Sequence, residues 1–227
     1  DASWHPVQAF QAAALSCLTH LQANEAGVRQ RGADGATPDP EFVHQARVAL
    51  RRLRTGLRLF RPHLPPRFAA HWAGEWKALA AELGPARDWD VFATERLPQW
   101  GPDAHEVPHA VAPSQALVNW LVGRRRAAHE RAAEAVSGPA HALRLLAFTR
   151  AVLALHVPDD ANADLAGWAR TTLRARHTAL RQAYEQVTSE VGGELAKVGS
   201  FVGSHAVVVF SDHDDVKGAV INLLKFF

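Results

Sequence analysis

The segment between Glu41 and Glu75 carries no acidic residue, yet it is dense in cations. A helix turns by about 100° per residue, so residues three or four positions apart share a face. Five side chains at such intervals fall within roughly a quarter-turn of one helix: His44, Arg47, Arg51, Arg54 and Arg58. Planar, permanently charged guanidinium groups favour phosphate oxygens over isolated carboxylates. This row therefore predicts binding of a polyanion with many regularly spaced charges, the alternative being a solvated helix surface.

The helix that positions this row has recognisable ends and a core face. Asp39-Pro40 predicts an N-cap followed by proline at the first helical position, and Pro62 predicts the end. Leu50, Leu53, Leu57 and Phe60 recur at helical intervals on a neighbouring face, which is typical of a buried stripe. The cations are thus expected on a rigid rod whose other face packs into the protein.

The rest of the chain also has helical periodicity. Besides the helix at 40–61, the pattern predicts helices at about 3–24, 69–83, 89–97, 114–136, 139–156 and 162–187. Gly84-Pro85 is expected to break the chain between two of them, with Asp88 capping the second. Residues 27–38 are expected to form a loop and 101–113 a linker. The last 40 residues differ in composition and suggest a strand at 206–210 and a short helix at 216–227.

A second basic face repeats the spacing of the first. Arg170, Arg174, His177 and Arg181 lie 4, 3 and 4 residues apart, as do Arg47, Arg51, Arg54 and Arg58. Two such helices in different halves suggest facing walls of one groove, although chance repetition is an open alternative. Four further residues are candidates for the lining: Arg52, Lys77, Arg87 and Arg125. The alternative for each of them is a solvated or ion-paired side chain.

Two blocks of sequence carry a family resemblance. The first is VHQARVALRRLR at 43–54 followed by LRLFRP at 57–62, and the second is LGPARDWDV at 83–91. Together they resemble the CHAD domain, the conserved-histidine α-helical domain. The resemblance extends more loosely to about residue 185. One departure is that no second His–Arg helix occurs near the C-terminus, where His205 is followed by AVVVF.

The resemblance implies an all-α fold of two helical bundles with pseudo-twofold symmetry around a central basic groove or pore. The helical domain is then expected at 1–185, with one bundle at about 1–100, a second from about 114, and an atypical segment at 186–227. It also implies binding of inorganic polyphosphate and association with polyphosphate granules in bacteria. We expect this binding without catalysis, in the cytoplasm, through the thirteen His, Arg and Lys residues already named. No cofactor is implied.

Composition and motifs weigh against other functions. The net charge is only +2, so local clustering must select the partner, and no apolar run approaches the roughly 18 residues of a membrane span. The HEVPH motif at 105–109 has Pro108 before its second histidine, which argues against a zinc helix. Cys17 is expected in the core, and His213 in an acidic turn. A nucleic-acid binder and a metal-dependent phosphoanhydride hydrolase remain the alternatives.

Overall fold

The computed structural model describes residues 4–30, 39–97, 115–157 and 164–191, and all regular structure within these ranges is helical. The predicted all-α class is confirmed. The elements are α1 (Pro6–Arg29), α2 (Pro40–Leu59), a 3₁₀ turn (Arg61–His63), α3 (Pro66–Val91), a π-helical turn (Phe92–Arg96), α4 (Gln115–Ala135), α5 (Gly138–Leu153) and α6 (Leu165–Val191). The helices expected at 114–136, 139–156 and 162–187 match α4, α5 and α6 to within a few residues.

The chain divides into two compact units. One is Phe10–His156 and contains most of α1 with α2 to α5. The other combines the N-terminal nine residues with the chain from Val157 onward, and its described part is dominated by α6. In that unit the backbone N–H of Leu165 donates to the Trp4 carbonyl at 2.9 Å, which ties the start of α6 to the N-terminal segment. The predicted pseudo-twofold pair of bundles stays a prediction.

Helix α2 begins where its sequence signals predict. The Asp39 side chain accepts a hydrogen bond from the Glu41 backbone N–H at 2.9 Å, and Pro40 occupies the first turn, where its missing N–H costs nothing. The helix ends at Leu59, just before Pro62. The predicted N-cap and end of the arginine helix are therefore confirmed.

Helix α1 continues past its predicted end at residue 24 and runs to Arg29, so part of the predicted loop at 27–38 is helical. The Phe42 ring lies where a Cβ on Gly27 would stand, which means that glycine is needed there for a close approach of α2 and not for a turn. Glu25 also pairs with Arg29 at 3.5 Å, one turn on. Residues 31–38 lie outside the described residues.

Helix α3 is continuous through Gly84-Pro85, so the predicted break there is wrong and Asp88 lies inside a helix instead of capping one. Proline removes one backbone donor and crowds the preceding turn, but it does not end a helix that packing holds on both sides. Leu83 and Ala86, which flank the proline, are both fully buried. The chain expected as a separate helix at 89–97 is the end of α3 and the π-helical turn.

The core of the Phe10–His156 unit is an aromatic cluster among α1, α3 and α5, joined by the leucines of α2. The Trp76 and Phe148 rings meet edge to face with centroids 5.1 Å apart, and Phe10 packs against Phe60 at 5.9 Å. The predicted stripe is buried as expected: Leu50, Leu53, Leu57 and Phe60 are each at most 5 % exposed. Burying side chains of this size contributes roughly 1.5–3 kcal/mol each, which fixes α2 firmly against α3.

Helices α1 and α5 run antiparallel. Near one end His141 pairs with the buried Glu25 at 2.7 Å, and near the other Gln11 donates to the Val152 carbonyl at 3.0 Å. The turn between α4 and α5 uses Gly138 at φ 83°, a left-handed conformation that favours glycine. No helix of the described ranges combines the length and apolar character that crossing a bilayer requires.

Candidate polyanion-binding groove

A groove of about 680 Å³ lies between α2 and the first half of α3. Its charged lining consists of Arg51, Arg54, Arg58, Arg61 and Lys77. Most of its remaining lining is small: Thr55 on α2 and Ala69, Ala70, Ala73 and Gly74 on α3. One wall therefore carries four guanidinium groups, and the other is nearly bare apart from one ammonium group.

The groove follows from the amphipathic pattern of α2. Leu50, Leu53 and Leu57 turn one face into the core, so Arg54 and Arg58, each one residue further along, turn toward the groove. All five cations of the lining are exposed to solvent. Long basic side chains can pack their apolar stems along a helix surface while their charged ends stay in water.

The groove is unbalanced in charge. No acidic side chain of the described residues lines it, and none of its five cations pairs with an acid in the described ranges. Glu75 is the first acid after Glu41, and its carboxylate accepts from Arg144 of α5 at 3.0 Å. The charges in the groove repel one another, so an anion from solution would be attracted there.

Four of the predicted site residues are brought together here: Arg51, Arg54, Arg58 and Lys77. Arg61 also lines the groove, although it was not among the predicted residues. It lies three positions after Arg58 and just past the end of α2, so extending the same spacing to the last residue before Pro62 would have found it. The acid-free segment already included it.

Arg47 lies outside the groove lining and contacts backbone. Its Nη1 donates to the Ala80 carbonyl of α3 at 3.0 Å, and an added Cβ at Gly84 would stand 3.3 Å from the same nitrogen. Ala80 precedes the proline-containing turn, where helix hydrogen bonding is interrupted. Arg47 therefore joins α2 to α3 next to Ala81, whose carbonyl loses its usual helical donor at Pro85.

Two further predicted residues are ion-paired. Arg125 Nε lies 2.7 Å from Asp90 Oδ1, and Arg87 lies 3.8 Å from Glu95. Asp90 is fully buried and also pairs with His129 at 2.8 Å. The Asp90 carboxylate thus holds the Arg125 side chain in place. No pattern in the sequence pointed to His129, because α4 and α3 meet only in the fold.

His44 and Arg52 are half-buried and do not line the groove. Arg52 lies on the side of α2 that faces Cys17, and its Nε is buried without a hydrogen-bond partner among the described residues. Burial raises the pKa of the Cys17 thiol, and attraction from Arg52 lowers it by less. A buried, neutral thiol is unreactive, so the expectation that Cys17 belongs to the core is confirmed.

The second basic face lies along α6 in the other unit. Arg170, Arg174, His177 and Arg181 are all exposed. The prediction that this face forms the opposite wall of a shared groove stays a prediction. The same holds for a ligand contact at His44, Arg47, Arg52, Arg87 and Arg125.

No group of three or more potential metal ligands occurs among the described residues. The motif at 105–109, His205, His213 and the elements expected at 206–210 and 216–227 lie outside the described ranges. The cationic groove is therefore the candidate site that the described chain offers.

The fold and the groove define an α-helical protein that presents a row of arginines to solvent. The sequence model of the CHAD domain matches residues 12–197, which is most of the chain. The chain belongs to the CHAD domain family, as its two sequence blocks indicated. No curated protein matches the chain in sequence.

Proposed function

We propose that this protein binds inorganic polyphosphate in the groove between α2 and α3, without catalysis, and thereby associates with polyphosphate granules in the cytoplasm. The observation that carries the proposal is the set of five exposed cations that face one groove without an acid beside them. Membership of the CHAD domain family is compatible with this function.

The chemistry of the lining suits a phosphate polymer. Each guanidinium offers several N–H donors in a fixed plane, and charge-assisted hydrogen bonds to phosphate oxygens are about twice as strong as neutral ones. Polyphosphate has no bases to recognise, so dense positive charge is the main requirement. The groove supplies four guanidinium groups and one ammonium group and little else.

A nucleic-acid strand fits the same lining less well. Sequence-tolerant binding of single strands depends on aromatic side chains that stack on the bases. No aromatic residue of the described ranges lines the groove, and Phe60, the aromatic nearest to the arginine row in sequence, is buried in the core. Competition between long polyphosphate and single-stranded DNA of equal total charge would separate the two ligands.

A hydrolase would need more than cations. Cleavage of phosphoanhydride bonds generally uses carboxylates that hold divalent metal ions beside the phosphate. The described lining of the groove has no carboxylate, and Asp90 is buried against Arg125 and His129. We therefore propose a binding role, and we expect no phosphate release from polyphosphate with or without magnesium. Steady release in the presence of magnesium would contradict that part of the proposal.

The direct test is the double variant Arg51→Ala/Arg54→Ala. Losing two charge-assisted contacts should weaken binding of long polyphosphate by well over about tenfold, since each such bond is worth roughly 1.5–3 kcal/mol. Both side chains are exposed, so the fold should remain. The matched control is Arg131→Ala/Arg150→Ala, which removes two exposed arginines that do not line the groove. Equal affinities of the two double variants would overturn the proposed site.

A further inference from the structure

Apart from Lys77, the described α3 wall of the groove is made of side chains no larger than a methyl group. Ala69, Ala70, Ala73 and Gly74 cover more than one full turn of the helix opposite the arginines. Lys77 follows one turn later and is the single long side chain of the described residues on that wall. Ala70 and Gly74 are exposed and lie four residues apart, hence on the same helix face.

Gly74 has no packing reason to be glycine. A Cβ added there would meet nothing within 4 Å, whereas one added at Gly27 would overlap the Phe42 ring and one at Gly84 would approach Arg47. Glycine inside a helix costs about 0.8–1 kcal/mol relative to alanine. The fold therefore tolerates a less favourable residue at this position, and the open space beside it belongs to the groove.

We infer that Ala70 and Gly74 are the residues that determine ligand specificity in this groove, an inference that rests on the proposed function. Their small side chains let a narrow, unbranched phosphoanhydride chain lie directly against α3 while the α2 arginines bind it from the other side. Among the described residues, the Ala69, Ala70, Ala73 and Gly74 part of this wall offers neither a ring to stack on nor a side-chain hydrogen-bond partner for a sugar or base. Polyphosphate contacts both walls of the groove, whereas a nucleic-acid strand of equal charge contacts only its cations.

This inference differs from simple attraction to a basic surface. If the cations alone bound the ligand, a neutral side chain on α3 would leave the affinity unchanged. If the ligand occupies the space beside α3, a larger neutral residue there displaces it from the arginines. Side-chain volume at position 74 therefore tests the inference without altering charge.

The experiment compares Gly74→Leu with Gly123→Leu. Gly123 is the matched control because it also lies inside a helix, meets nothing within 4 Å of an added Cβ, and does not line the groove. Both changes replace glycine by a better helix former, so thermal unfolding should show folded proteins of unchanged or higher stability. Affinity for long polyphosphate is measured by isothermal titration calorimetry, and affinity for an oligothymidine of equal charge is measured alongside.

We expect Gly74→Leu to weaken polyphosphate binding by about tenfold, the equivalent of one lost charge-assisted contact. The affinity of Gly74→Leu for oligothymidine should change less, so the ratio of its polyphosphate affinity to its oligothymidine affinity should fall. Gly123→Leu should bind both ligands as tightly as the parent. Losing one charge-assisted bond would weaken binding about tenfold. If the polyphosphate affinity of Gly74→Leu instead lies within about twofold of the parent's, the specificity assignment is overturned, while the proposed function stands. If the parent itself does not bind polyphosphate, the proposed function fails first, and the assignment fails with it.

Discussion

The dependence of polyphosphate binding on salt gives a quantitative test of how many cations engage the ligand. A polyanion in solution carries condensed counterions, and each protein cation that replaces one makes binding weaker as salt rises. The groove lining presents five cations. The perturbation is therefore a change in sodium chloride concentration, applied to the parent protein and to the Arg51→Ala/Arg54→Ala variant.

The magnitude follows from the number of contacts. With a coefficient of about 0.7 per contact, as for single strands, five cations give a slope of roughly 3.5 for log affinity against log salt. Raising salt from about 50 to 200 mM should then weaken binding by roughly 100-fold, or about 3 kcal/mol. With three cations left, the double variant should have a slope near 2 and lose only about 20-fold over the same range.

The assay is fluorescence anisotropy of end-labelled polyphosphate at four or more salt concentrations, at about pH 8, where an ordinary histidine is neutral. Arg131→Ala/Arg150→Ala, which changes net charge equally, should keep the slope of the parent. Equal slopes for the parent and the Arg51→Ala/Arg54→Ala variant would refute the reasoning, because those two arginines would then release no counterions. A parent slope near about 6, equivalent to roughly eight contacts, would indicate that cations outside the groove, such as those of α6, also bind.

Two other predictions concern the contacts that hold the groove in shape. Arg47→Ala removes the donor to the Ala80 carbonyl and should lower the free energy of unfolding by about 1–2 kcal/mol. Urea denaturation measures this free energy, and an unchanged midpoint would mean that the contact is dispensable. Asp90→Asn removes the buried charge that faces Arg125 and should cost about 3 kcal/mol or more, because one charge of a buried pair is left alone. The control is the exposed neighbour Asp88→Asn, which should unfold like the parent, and equal midpoints for the two variants would contradict the argument.

The arginine helix could be predicted from sequence because its signals are local. Asp39-Pro40 sets its start, and the leucine stripe fixes which face is buried, so the exposed face follows from helix geometry alone. Arg51, Arg54 and Arg58 lie together on the exposed face of α2 for this reason, and all three line the groove. A pattern within one helix cannot predict which residues form the opposite wall of the groove. The small residues of α3 that form it carry no chemical signal of their own.

The continuity of α3 could not be predicted, because it depends on tertiary packing. Gly84-Pro85 is a strong local break signal. It is overridden by burial of Leu83 and Ala86 on either side and by the Arg47 hydrogen bond from another helix. The same contact explains why spacing alone misjudges Arg47: it follows the basic periodicity of α2, yet its guanidinium meets backbone and lies outside the lining.

Cys17 is the single cysteine of the chain, and it lies 3 % exposed within the core. Thiol reagents act on the exposed thiolate, so they leave this side chain untouched while the protein is folded. A cysteine introduced at an exposed position beside the groove but outside its lining, such as Ala81 one turn after Lys77, would consequently be the one labelling site. A dye attached there would report occupancy of the groove by its emission, with no need to delete the native sulfur.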